Sequence, residues 1–149
     1  MMKITRTLGE AGEATKAKKR DYLEVEWDEL GKRILRKQSE SGVDVALMLD
    51  EGETLEPGHK IYEDDEREIV VRTPLEPVYV IQPAGIQEMG TVAFELGNRH
   101  TPCLIEGREI IVRRDHTLES IFTETGVAYH EDKRRLGRAF RYKGHTHAH

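Results

Sequence analysis

Seven histidines are the residues in this chain best suited to chemistry, and their spacing divides them into two kinds. The closing stretch "GHTHAH" sets His145, His147 and His149 on alternate positions after Gly144. In an extended segment such positions point the same way, so three imidazoles can face one ion. Neutral imidazole suits borderline first-row metals such as nickel, copper and zinc. Ordering a free chain end opposes binding, so a site made only there would be labile. A solvated terminus or a cloning remnant explains the same residues. His100 is of the other kind. It lies in "LGNRHTP", pinned between Gly97 and Pro102. One imidazole does not make a metal site, but a two-fold axis would present it twice. A capping or surface histidine is the plainer reading. Cys103, three residues on, could add a thiolate, although a small apolar residue in a "PCLI" strand is the better reading.

The remaining candidates are weaker. His116 falls at a predicted helix start, His130 at a strand end and His59 in a turn. The acidic run Glu63–Asp64–Asp65–Glu66 could attract cations, and the basic run Lys133, Arg134, Arg135, Arg138, Arg141 and Lys143 could dock an acidic partner. Both also read as solvated strips. No nucleophile motif, phosphate-cradling glycine loop or catalytic dyad is present, so the chain is not expected to be an enzyme. A net charge of −5 argues against bulk affinity for nucleic acid. Cys103 is the one cysteine, so no intrachain disulfide forms. The N-terminal stretch "MMKITRTLGEAGEATKAKKR" has no apolar signal-peptide core, and no run is long enough to cross a bilayer. The expected location is the cytoplasm.

Positioning these residues requires elements, and the pattern of apolar residues predicts them. At 37% hydrophobic and 34% charged residues, each core must be small, which favours oligomerisation. "GEAGEATKAKKR" reads as a mobile surface loop. "DYLEVEW" and "VDVALML" alternate as strands with one wet face. The stretch between them is polar and closes at Gly42, and "EPGHKIYEDDEREIVVRT" supplies a Pro57–Gly58 turn and a strand at Ile69–Arg72. Residues 1–75 therefore read as a small all-β domain. Pro74 and Pro77 suit a linker into a strand over Val78–Gln82. Ile86, Met89, Ala93 and Leu96 then mark one face of a helix that Gly97 and Asn98 would end. "PCLIEGREIIVRRD" predicts a hairpin around Glu106–Gly107, "TLESIFTETG" a second helix, and "VAYH" a last strand. This β-α-β-β-α-β order is ferredoxin-like, over residues 76–143, and places the chain in the α+β class. Residues 131–149 are expected outside any core, with 144–149 a flexible tail.

"FELGNRHTPCLIEGREIIVRRDHTLESIF" resembles the metal-binding domain of the UreE family of urease accessory proteins, and "GNRH" is its most specific part. The likeness extends through "YLEVEWDELGKRILRK", "PGHKIYEDDEREIVVRT", "VYVIQP" and "YKGH", nearly the whole chain. It implies a metallochaperone that delivers Ni²⁺ to apo-urease, with Zn²⁺ or Cu²⁺ able to substitute. It also implies an N-terminal domain that binds a partner peptide and a C-terminal domain that dimerises. In that family the "GNRH" histidine meets its symmetry mate on nickel or zinc, a role that falls here to His100. The family's histidine-bearing tail corresponds to His145, His147 and His149, with Cys103 a lesser candidate. A metal-bridged tetramer, a GTPase accessory protein and the apo-urease complex are the further partners implied. Two other readings stand beside it. One is a general Ni/Zn/Cu buffer or sensor without a client. The other is a small RNA-binding module, for which the aromatics lack the usual clustering.

Overall fold

The computed structural model describes residues 1–137, which fall in two compact units, Met1–Pro74 and Leu75 onward. The first unit contains β1 (Met2–Ile4), β2 (Gly9–Glu10), β3 (Lys19–Glu24), a 3-10 turn at Trp27–Glu29, β4 (Ile34–Gln38), β5 (Asp44–Met48), β6 (His59–Glu63) and β7 (Arg67–Arg72). These pair as β1-β5-β4 and β2-β6-β7-β3. The period-two alternation of "DYLEVEW" and "VDVALML" is what builds the core. Leu23, Val25, Val45, Leu47 and Leu49 all turn inward, against Ile69 and Val71 of β7. Each fully buried leucine contributes about 2 kcal/mol of transfer free energy.

Two segments depart from the expected pattern. The stretch read as a mobile loop over 9–20 holds β2 and the first residues of β3. It is fastened by polar contacts that leave no hydrophobic period. Arg20 pairs with Glu68 at 2.6 Å and donates from Nη1 to the Gly12 carbonyl at 2.9 Å. The polar connector before Gly42 contains β4, an edge strand whose Ile34, Arg36 and Gln38 face solvent. Inside the strand β3, Asp21 is buried. Its carboxylate accepts from the Ser41 hydroxyl at 2.5 Å, the Ser41 N–H at 3.1 Å and the Tyr22 N–H at 2.9 Å.

The second unit runs β8 (Leu75–Gln82), α1 (Ile86–Asn98), β9 (Leu104–Glu106), β10 (Glu109–Arg113), a 3-10 turn at His116–Leu118, α2 (Glu119–Thr125) and β11 (Ala128–Arg135). Its sheet is antiparallel in the order β11-β8-β10-β9. Tyr79, Ile81, Ile110 and Val112 on one face pack with Val92 and Leu96 of α1 and Ile121 and Phe122 of α2. Among the described residues no helix is long and apolar enough to cross a membrane.

Pro77 lies inside β8 rather than in a linker. Its carbonyl accepts from the Arg114 N–H at 3.1 Å, and its missing donor lies on that same side, past the last β8–β10 pair, Val78↔Arg113. Residues 131–135, expected outside any core, continue β11 opposite Leu75–Tyr79, and Leu136 is buried. The strand was hidden because its side chains are almost all exposed, so no alternation marks it. On α1 the buried stripe is Met89, Val92, Ala93 and Leu96, whereas Ile86, expected on that face, is 89% exposed.

Candidate metal centre

The end of α1 carries the least ordinary backbone among the described residues. Leu96 is fully buried and fixes the last turn against the core. Beyond it the helix closes in two hydrogen bonds. The Thr101 N–H donates to the Leu96 carbonyl and the His100 N–H to the Gly97 carbonyl, each at 3.0 Å. This double closure requires a left-handed residue between, a position usually filled by glycine. Here it is His100, at φ 56°, the one described residue other than glycine with positive φ. The sequence favours Gly97 or Asn98 for that role, but both remain helical. A left-handed non-glycine residue costs about 1 kcal/mol, and such strain collects at functional positions. Pro102 follows and keeps the chain from re-entering the helix.

Arg99 holds this corner in place. It donates from Nη1 to the Thr117 carbonyl and from Nη2 to the Ser120 hydroxyl, both at 2.9 Å. The C-terminus of α1 is thereby tied to the start of α2. The 3-10 turn that leads into α2 is itself capped by Asp115, whose carboxylate accepts from the Thr117 N–H at 3.0 Å and its hydroxyl at 2.7 Å. The sequence gives "GNRH" weight only through its histidine. The tie made by Arg99 and the cap made by Asp115 emerge from the structure alone. Their only sequence signal is a fork-shaped donor beside the histidine.

His100 is exposed at this corner. Cys103 is partly buried against the core of the unit, and burial pushes its thiol above the ordinary range. A raised thiol presents less of the thiolate that ligates metals. His59 pairs with Glu56 at 3.1 Å, and His116 and His130 are exposed on a turn and on β11. Two members of the acidic run, Glu63 and Asp64, are engaged locally. Asp64 accepts from the Tyr62 hydroxyl and from the backbone N–H groups of Glu66 and Arg67, which together hold it down at about 2. Glu63 pairs with Lys18 and Lys60. In the basic run, Arg134 pairs with Asp132 and Glu109. Among the described residues no three histidine, cysteine or carboxylate side chains are grouped to hold a metal. His145, His147 and His149 lie outside the described residues.

The described residues form a sheet-rich α+β protein of two units, with an exposed imidazole at a left-handed helix end. Residues 4–73 match the family model of the UreE urease accessory protein N-terminal domain, and residues 76–149 match that of its C-terminal domain. The chain is similar to the urease accessory protein UreE of Lysinibacillus sphaericus (strain C3-41), 53% identical over 130 residues that cover 87% of this chain and 88% of the relative. It is similar also to that of Halalkalibacterium halodurans, 47% identical over 148 residues covering 99% of each. With that of Staphylococcus saprophyticus it shares 33% identity over 144 residues, 97% of this chain and 96% of the relative. This chain belongs to the UreE family of urease accessory proteins.

Proposed function

We propose that the chain is a nickel metallochaperone, which carries Ni²⁺ as cargo and hands it to apo-urease during assembly of the urease metal centre. The observation that carries this reading is His100 in a left-handed conformation at an exposed helix end, with Arg99 bracing the corner. A ligand that must later be surrendered is best held by few protein donors on a firm base, since an incomplete shell releases its ion readily. Zn²⁺ or Cu²⁺ would occupy the same nitrogens in vitro. The protein would work in the cytoplasm, as a binding partner and without catalysis.

The division of labour follows the two units. Residues 1–75 bind a partner segment, residues 76–143 form a ferredoxin-like domain that binds metal and dimerises, and residues 144–149 form a tail. The strand order β11-β8-β10-β9, with both helices packed on one face, supports the ferredoxin-like reading. Support for the dimer comes from α1. Ile86 and Phe94 are 89% and 59% exposed, and Gly90 lies midway between them. Their spacing of four puts all three on one stripe leading toward the His100 end of the helix. Pairing that stripe across a two-fold axis would bring two copies of His100 to one ion. Four copies in two dimers would bridge a tetramer. His145, His147 and His149 then add ligands, with Cys103 held in reserve. The clients are the apo-urease complex and its accessory proteins, including a GTPase.

Titration of Ni²⁺ into the wild type and His100→Ala, with the oligomer mass measured alongside, tests the assignment. Loss of the tight phase in an otherwise dimeric variant is expected. Full affinity in His100→Ala would remove the helix-end site from the reading.

A further inference from the structure

The outer face of the β1-β5-β4 sheet combines an open strand edge, a bare apolar pair and an excess of positive charge. Ile34 of β4 stands directly opposite Met48 of β5, and the two are 76% and 52% exposed. The next row of the same face is Arg36, Ala46 and Lys3, and the row after it joins Gln38 to Asp44. Arg36 pairs with Asp44 at 2.6 Å. Lys32 and Arg33, also exposed, precede the strand. In a chain of net charge −5, this corner is locally cationic.

The edge itself is free to bond. Arg33 accepts from the Leu49 N–H and Ser39 donates to the Val43 carbonyl, each at 2.8 Å, so odd-numbered residues of β4 face β5. Backbone groups alternate along an antiparallel strand, which leaves those of Ile34, Arg36 and Gln38 pointing outward. Among the described residues no strand pairs with that side. Cations commonly guard such an edge, because they repel a second copy of the same strand. The guard is incomplete here, since Ile34 and Met48 leave an apolar seat beside it. The same charges that repel another copy attract an acidic chain.

We infer that an extended acidic segment of a partner protein, carrying one apolar anchor, adds to this sheet along β4 through the outward backbone groups of Ile34, Arg36 and Gln38. The anchor seats on Ile34 with Met48 behind it, and the acidic side chain two positions away lies beside Arg36, the neighbouring residue of the same face of β4. Main-chain bonds supply affinity and the alternate side chains supply selection, as in other strand additions. This deepens the proposed partner-binding role of residues 1–75 and rests on it.

The test uses the full chain and a fluorescein-labelled synthetic peptide with a valine and two glutamates on alternate positions and threonines between them. Saturable binding that weakens with salt is expected, with slowed amide exchange at Ile34, Arg36 and Gln38. Ile34→Glu should weaken it at least about tenfold, and so should Gln38→Pro, which removes an outward N–H and leaves the β5 ladder whole. An N-methylated copy of the peptide tests the same bonds with the protein unaltered, should the proline variant not fold. No saturable binding, or binding equal for the N-methylated peptide, overturns strand addition. Self-association that Ile34→Glu abolishes would instead make the face a contact between copies. Ni²⁺ titration of the same samples reports separately on the metal reading, which stands or falls without this one.

Discussion

His100 closes α1 by donating its backbone N–H to the Gly97 carbonyl at 3.0 Å while its own φ is 56°. The histidine thus occupies a position that glycine fills at lower cost, and stability and metal binding should separate there. His100→Gly relieves the left-handed backbone and should stabilise the fold by about 1 kcal/mol, raising Tm by roughly 4 °C or more. It should also lose the tight nickel phase. His100→Ala keeps the strained backbone, so it should lose nickel without gaining stability. Thermal melts and nickel titrations on both variants check this. A glycine variant that melts below the wild type would show that the imidazole itself supports the fold.

Arg99 is expected to act on the metal through its neighbour. Arg99→Ala cuts the tie from the end of α1 to Thr117 and Ser120 but leaves the core of Leu96 and Val92 intact. Stability should fall by no more than about 1 kcal/mol, since the bonds are exposed. Nickel affinity should fall further than that small loss implies, because His100 gains freedom that binding must then restrict. Ser120→Ala should do part of the same damage, and the double variant should fall short of the sum. Strict additivity would mean that the two side chains do not work together.

How much of this could be read in advance differs by element. Strands with one wet face, such as those carrying Leu23 and Leu47, declare themselves through alternation. β4 and the continuation of β11 over residues 131–135 do not, because an edge strand with exposed side chains has no apolar period, and their pairing comes from partners elsewhere in the chain. Position rather than residue type explains the left-handed turn at His100. Buried Leu96 anchors the final turn of α1, and counting forward from it selects the histidine over Gly97 and Asn98. The histidine alone singles out the "GNRH" corner in the sequence, whereas its bracing by Arg99 depended on where α2 begins.

Tyr79 gives the second unit an alkaline limit. The ring is buried, its hydroxyl donates to Glu119 at 2.8 Å, and burial followed by that carboxylate pushes the phenol up from 10.0 to about 12. Folding therefore favours the protonated phenol. The stability it contributes is fully present below about pH 10 and is lost as pH rises through about 12. Tyrosinate absorbance should show one tyrosine ionising only with alkaline unfolding, well after the exposed ones. Tyr79→Phe should remove that late phase. An unchanged titration in the variant would assign the late phase to another ring.

The last prediction concerns capacity. His145, His147 and His149 fall on alternate positions, which an extended segment would turn toward one ion, and fixing each residue that binding must order costs roughly 1–2 kcal/mol. Ligands that carry this cost should bind more weakly than a histidine already held at a closed helix end. A chain ending at Gly144 should therefore bind fewer nickel ions per chain while keeping the tight phase proposed for His100. Metal content after equilibrium dialysis gives the number of ions, and calorimetry on the same preparation gives the affinity. Equal metal content in both chains would leave the tail histidines without a ligand role. Loss of the tight phase on truncation would mean that a tail imidazole completes the His100 site and does not add a separate one.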